Sequence, residues 1–227
     1  MMRDVTKETS RFWNSDAVVK EFEIQPLSLY WIDFFSSIKN ASNMTVLDLG
    51  CGGGRNTTML INHGFNVFSC DVNEKMIEST RRKVMDFGLS KSESIKRVSA
   101  QTMTHLSFPE CFFDIVLSHG VYHNALSLEK FKTAIKESSR VLKNGGLLCF
   151  NIFTSGYIGS DLVEFKNSPN LYLTKDGMPL VLLSKNEFIA ESKLNNLFPI
   201  SDFVEYTSNI STGKRSVARG VLRKICN

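Results

Sequence analysis

The chain has no apolar run approaching the roughly 18 residues of a membrane-spanning helix, and its first residues carry neither the basic start nor the apolar stretch of a secretory signal. No C-x-x-C pair joins its five cysteines, at 51, 70, 111, 149 and 226. Several of them stand in apolar, strand-like runs, as buried reduced thiols do. These absences set the expectation of a cytoplasmic protein without a membrane segment. Neither sign of charge dominates: 27 Lys and Arg face 23 Asp and Glu, a net +4. Such a balance permits an anionic substrate but lacks the clustered basic face of a nucleic-acid binder. Low-complexity runs are absent too. What is left is an ordinary composition, 42% hydrophobic and 22% charged over 227 residues. That length suffices for one well-buried core and is short for two full domains.

The most informative stretch runs from Val46 to Thr57, V-L-D-L-G-C-G-G-G-R-N-T. Its first half is short, apolar and β-branched, which predicts a buried strand, and the apolar spacing after it predicts a helix. Between them the glycines at 50, 52, 53 and 54 permit φ > 0 and remove the Cβ atoms that would keep a ligand away from the backbone. The helix N-terminus adds unpaired N–H groups and partial positive charge. The dinucleotide pattern G-x-G-x-x-G fails here, because Arg55 stands at its third glycine. The pattern present is D-x-G-x-G-x-G, with Asp48, Gly50, Gly52 and Gly54. A second strand, Asn66 to Asp71, ends in a carboxylate 21 residues after Gly50, the spacing at which an acidic side chain reaches ribose hydroxyls. Asn73 is free to cap the helix that follows, which releases Asp71 for a ligand.

These features resemble motif I and the following acidic strand end of the class I S-adenosylmethionine-dependent methyltransferases. Two further segments agree in order and spacing: F-D-x-V-x-S at Phe113 to Ser118, and R-V-L-K-x-G-G at Arg140 to Gly146, which turns a helix into the fifth strand. The resemblance covers about Val46 to Phe153. Within the family, L-D-L-G-C-G-x-G-R-N and the Gly213-Lys214-Arg215…Arg223-Lys224 ending are most similar to the small tellurite-resistance-type enzymes. The His119–Asn124 segment differs from theirs, so that substrate is not carried over.

The resemblance implies an α/β fold: a Rossmann-like, doubly wound, seven-stranded sheet in the order 3-2-1-4-5-7-6, its last strand antiparallel, with an N-terminal helical cap. It implies S-adenosylmethionine as cofactor, with S-adenosylhomocysteine as product. Asp48, Gly50, Cys51, Gly52, Gly54, Arg55 and Asn56 fall at the methionine end, and Asp71 and Val72 at the ribose. Thr102 and Met103 fall at the adenine, and Ser118 and His119 where the fourth strand meets the cofactor. Thr102 stands where the family has an aspartate, a departure.

The chain divides as one methyltransferase domain: a helical cap or lid over 1–42, a cofactor core over 43–153, a substrate-side insertion over 154–183, and a closing helix and hairpin over 184–227. Residues 1 to about 10 read as frayed. Pro26 separates two N-terminal helices whose aromatics either cover the sheet or, through Trp13, Tyr30 or Trp31, face the pocket. A third strand is expected at about Ile95 to Ala100. The stretch Thr154–Leu183 reads as irregular. Ser184-x-x-Glu187 is a capping box opening the last helix, with Phe188, Ile189, Leu194 and Leu197 inward. The final charges, Lys214, Arg215, Arg219, Arg223 and Lys224, read as the solvated side of an edge strand.

Methyl transfer from a sulfonium is an in-line displacement, so alignment and exclusion of water come first. His119 and His123, just after the fourth strand, are the candidate proton acceptors, with Tyr122 or Tyr157 to orient the acceptor. No Pro-Pro-aromatic or Pro-Cys element follows Ser118, which argues against a nucleobase substrate. No acidic cluster stands there either, so no metal is expected. The reading is methyl transfer to an O, N or S atom of a small molecule by a monomer or homodimer. RNA or protein methylation, or non-catalytic binding of the cofactor, are the alternatives.

Overall fold

The computed structural model describes residues 9, 12–166 and 168–226. The reading of residues 1 to about 10 as frayed falls, apart from Thr9, outside the described residues. Helices α1 (Asp16–Ile24) and α2 (Leu29–Ser36) flank Pro26 as expected. Then β1 (Thr45–Leu49), α3 (Arg55–Asn62), β2 (Asn66–Asp71), α4 (Glu74–Asp86), α5 (Lys91–Arg97) and β3 (Val98–Ala100) follow. They lead to β4 (Phe113–His119), α6 (Leu128–Val141) and β5 (Leu142–Thr154). Local chemistry sets most of these boundaries. Asn73 accepts the Met76 N–H as the α4 cap, and Ser127 accepts the Lys130 N–H as the α6 cap. Gly146 lets the start of β5 bulge against β4, since a Cβ there would lie 2.9 Å from the Lys143 carbonyl and 3.1 Å from that of Asp114.

Strands β3-β2-β1-β4-β5 pair in parallel, and β11 (Gly213–Lys224) inserts antiparallel between β5 and β10 (Val204–Ile210). This is the expected 3-2-1-4-5-7-6 sheet with one antiparallel strand. One face packs Val46, Ile115, Leu117, Cys149 and Val221 against Trp31, Phe35 and α3. The other packs Val116, Leu148 and Phe150 against Phe131, Ile135 and Phe188, which belong to α6 and to α7 (Lys185–Leu194).

Several expectations are corrected. The sixth strand of that order is broken: β9 (Leu197–Pro199) and β10 both pair with β11, giving eight strands. In the break Phe203 turns inward onto Phe150 and Phe188, over Gly220, where a Cβ would meet its ring at 2.6 Å. The third strand starts only at Val98, because the Ser90/Glu93 capping box draws Ile95 into α5. The insertion is ordered as a small antiparallel sheet of β6 (Val163–Glu164), β7 (Leu171–Leu173) and β8 (Pro179–Val181). Its strands are too short to show a period of two, and Asn170 and Gly177, both at positive φ, mark its turns. Leu194 is 79% exposed.

The final charges are not uniformly solvated, because β11 lies inside the sheet. Arg215 is buried and clasps Asp161 with two hydrogen bonds, at 3.1 and 2.6 Å. Lys224 is buried and donates to the Leu142 carbonyl at 2.7 Å.

Trp31 is fully buried, and truncating a large aromatic in a packed core costs about 3–5 kcal/mol. Trp31→Ala is therefore expected to lower the unfolding free energy by that amount, seen by circular dichroism as a lower urea midpoint with an unchanged slope.

Candidate functional site

The carboxyl ends of β1, β2 and β4 open on a cavity of about 330 Å³, a size typical of small-ligand sites. Gly50 and Gly52 form its floor, Asp71 and Val72 one wall, and Thr102 and Met103 another. His119, Gly120, Val121 and Asn124 close the β4 side, and Trp13 and Phe22 come from the N-terminal segment.

The glycine turn is bonded to β2. The Cys70 carbonyl accepts the N–H groups of both Gly50 (2.8 Å) and Cys51 (2.9 Å). Gly50 has φ +69°, and a Cβ there would lie 2.4 Å from Val121 Cγ2, so only glycine fits. Asp71 accepts the Gly52 N–H on Oδ2 at 2.9 Å and the Asn73 N–H on Oδ1 at 3.0 Å. Each carboxylate oxygen keeps a free lone pair for a donor such as a ribose hydroxyl. Burial raises the Asp71 pKa, against the pull of those backbone N–H groups.

Asp48 does not line the cavity. It is buried beside the turn, where Oδ2 accepts the Thr57 hydroxyl at 2.6 Å and Oδ1 has no partner. Burial pushes its pKa up to about 6, opposed by the Thr57 bond and by Arg55. Cys51 packs away from the cavity with Ile77, Val84 and Val98, and Gly54 sits against Thr80. Arg55 opens toward a second depression beside Glu23 and Lys83 and donates to the Pro26 carbonyl at 2.9 Å. Asn56 is buried with Oδ1 unpartnered, and Ser118 is fully buried.

Of the three candidate catalytic residues, the fold brings only His119 to the cavity. Tyr122 is fully buried, its phenol 2.6 Å from the Ser138 hydroxyl. His123 is buried against Phe153, with ring centroids 3.9 Å apart, and its Nδ1 accepts the Phe153 N–H at 3.0 Å. Both are corrected to structural positions: the short 3-10 turn at Tyr122–Asn124 carries them inward, away from the cavity. His119 has its pKa lowered to about 3, by burial first and then by Arg55 and Arg219. Tyr157 is exposed and carries Lys214 over its ring at 4.9 Å. Of the N-terminal aromatics, Trp13 faces the cavity, Trp31 is core, and Tyr30 stacks on Arg219.

The sequence reading missed Phe22, Met76, Gln101, Leu126 and Lys130, which also line the cavity. None carries a local pattern separating it from an ordinary helix or loop residue. Among the described residues, no group of His, Cys, Asp and Glu is placed to hold a metal ion, and no helix is long and apolar enough to cross a membrane.

A carboxyl whose pKa is raised from 3.8 to about 6 on folding opposes folding once it ionises. This cost is absent below the unfolded pKa and complete above the folded one. Asp48→Asn is therefore expected to stabilise the ligand-free protein by about 2–3 kcal/mol at pH 8 and not at pH 4, as measured by thermal melts across pH.

Comparison with known proteins agrees with this geometry. Residues 47–150 match the family profile described as a methyltransferase domain. A ubiquinone biosynthesis O-methyltransferase of Azoarcus sp. is 26% identical over 148 residues, 65% of this chain and 59% of that protein. A ubiquinone/menaquinone biosynthesis C-methyltransferase of Yersinia pestis is 36% identical over 107 residues, 45% of this chain and 40% of that protein. The chain spans about half the length of the curated relatives it matches. Among solved structures, the 1,6-didemethyltoxoflavin-N1-methyltransferase of Burkholderia thailandensis superposes with a TM-score of 0.65 at 16% identity, covering 100% of this chain and 92% of that one. It holds 1,6-didemethyltoxoflavin and S-adenosylhomocysteine. The matched segment holds the glycine turn and the parallel strands β1, β2 and β4, and over residues 47–150 the chain is similar to methyltransferase domains.

Proposed function

We propose that this protein transfers a methyl group from S-adenosylmethionine to an O, N or S atom of a small-molecule acceptor. The observation that carries the reading is the Asp71 carboxylate, fixed by two backbone N–H groups at the cavity wall beside a turn that only glycine can form. The residues fit the cofactor. Asp71 suits the ribose diol, and Thr102, Met103 and Val72 offer a largely apolar slot for adenine. Asp48, buried behind the glycine turn with Oδ1 unpartnered, acts on the cationic methionine end through its charge and not by contact. When bound, the cofactor supplies an activated methyl on a sulfonium, which leaves as a neutral thioether as the acceptor's lone pair forms the new bond.

The protein's contribution is positioning. A general base works best with a pKa near the operating pH, and His119, held near 3, is neutral and weakly basic. Alignment of reactants supplies about 7–11 kcal/mol in well-oriented systems, enough for turnover while the acceptor's proton passes to water. The apolar walls from Trp13, Phe22, Met103 and Leu126 favour a small acceptor that is enclosed. The ubiquinone-pathway relatives and the toxoflavin enzyme, named for small-molecule substrates, point the same way.

Isothermal titration with S-adenosylhomocysteine, with NADH as control, tests the cofactor. Micromolar binding of the first alone is expected; NADH preference overturns the reading. Asp71→Ala is expected to weaken S-adenosylhomocysteine at least tenfold, and unchanged affinity would sink the ribose assignment. Tyr122→Phe is expected to keep wild-type affinity for S-adenosylhomocysteine while losing about 1 kcal/mol of stability with its buried hydrogen bond, read by titration and urea melts.

A further inference from the structure

His119, Asn151 and Arg219 stand side by side on three adjacent strands. His119 of β4 is in register with Asn151 of β5, and Asn151 with Arg219 of β11. In-register neighbours share a face of the sheet, and strand spacing places the backbones of His119 and Arg219 about 10 Å apart. Two residues further into the sheet, Leu117, Cys149 and Val221 form the same row and belong to the apolar core under Trp31. This face thus turns from apolar to polar at its carboxyl edge, where His119 meets the cavity.

Arg219 is held there without an anion. Its guanidinium carbon lies 4.4 Å from the ring centre of Tyr30 and 5.0 Å from that of Tyr206. Nε is buried with no hydrogen-bond partner, and among the described residues no Asp or Glu forms an ion pair with Arg219. His119 Nδ1 is likewise buried and unpartnered. The adjacent arginines Arg55 and Arg219 both act on His119, so the local field is positive. The contrast with Arg215, four residues earlier on the same strand, is direct. Arg215 clasps Asp161 and two backbone carbonyls, those of Lys214 and Thr212. An arginine stacked on tyrosine rings is oriented in advance, and its planar donors match a carboxylate or a phosphate.

We infer that Arg219, with Asn151 and His119 beside it, receives an anionic oxygen group of the methyl acceptor, a carboxylate or a phosphate. Of the three only His119 lines the cavity; Arg219, two strands further along the same row, is then a specificity-determining residue that holds an acidic acceptor extending past His119. The inference rests on the methyltransferase reading for the word acceptor, but the anion site itself can be measured without turnover.

The test is an NMR titration of the ¹⁵N-labelled full chain, following the Arg219 Nε–H resonance, assigned as the one lost in Arg219→Lys or Arg219→Gln. Sodium benzoate, inorganic phosphate and sodium chloride are added at matched ionic strength. A saturable shift of that resonance with benzoate or phosphate, and none with chloride, is the expected result. Benzoate alone identifies a carboxylate, and phosphate alone a phosphate ester. No shift with either anion, or an equal shift with chloride, overturns the inference. S-adenosylhomocysteine affinity is measured on the same samples and is expected to be unchanged in Arg219→Lys. Failure of the wild type to bind S-adenosylhomocysteine would strike the methyltransferase reading and leave the anion site standing or falling on its own resonance.

Discussion

The carbonyl of Cys70 accepts two N–H groups from the turn after β1, at 2.8 and 2.9 Å, and the geometry of the cavity depends on that pair. It ties the glycine turn to the last residues of β2, so the floor of the site and its acidic wall move as one body. Gly52 completes the tie by donating to Asp71, while Thr80 of α4 donates to the Gly52 carbonyl at 2.8 Å. Thr80 also fills the space beside Gly54, where a Cβ would lie 2.9 Å from its hydroxyl. Backbone groups bonded in this way hold a ligand-facing carboxylate without spending a side chain on it. The turn is therefore set before any ligand arrives, which lowers the ordering cost of binding.

A second tie extends this order to the N-terminal segment. Asn73 caps α4 through Oδ1 and donates its own N–H to Asp71. Its remaining amide group donates to the Trp13 carbonyl at 2.6 Å and to Asn14 Oδ1 at 3.1 Å. One residue thus serves the helix, the acidic wall and the segment that carries Trp13 over the cavity. Lys75, two residues on, adds bonds to the Asn14 carbonyl and to Asp16, of which the exposed ion pair contributes little by itself. The arrangement makes the aromatic wall depend on the same strand end as the floor.

What was legible in the sequence was local. The glycine turn, Asp71 at the end of β2, the Asn73 cap and the Ser184/Glu187 box each lie within a few residues of what they bond. The strand order came with the family resemblance. The misreadings lie where distant segments decide. Nothing near Arg215 or Lys224 announces Asp161 or the Leu142 carbonyl, so charges in an inner strand read as edge charges. Tyr122 and His123 follow the fourth strand at a place where side chains often meet a ligand, yet Ser138 of α6 and the backbone of β5 satisfy them inside. The break between β9 and β10 depends on Phe203 finding room over Gly220, a contact across the sheet. Phe22 and Lys130 enter the cavity wall through the packing of whole helices.

The polar groups around the site are sorted by a single force acting in opposite directions. Desolvation raises the carboxyl pKa of Asp48 and lowers that of His119, so burial favours the uncharged form of both. Burial thus keeps the His119 ring neutral, while Asp48 ionises only as pH rises through about 6. A cationic donor reverses this at Asp48, because a positive charge nearby favours the ionised carboxylate. Binding of such a donor then releases a proton and strengthens as pH rises through about 6. At His119 the reversal needs an anion, since burial first and then Arg55 and Arg219 hold the ring neutral. On the proposed reading the donor is positive on the Asp48 side and the acceptor is negative on the Arg219 side. His119, which lines the cavity with its ring held neutral, then adds no charge of its own between them.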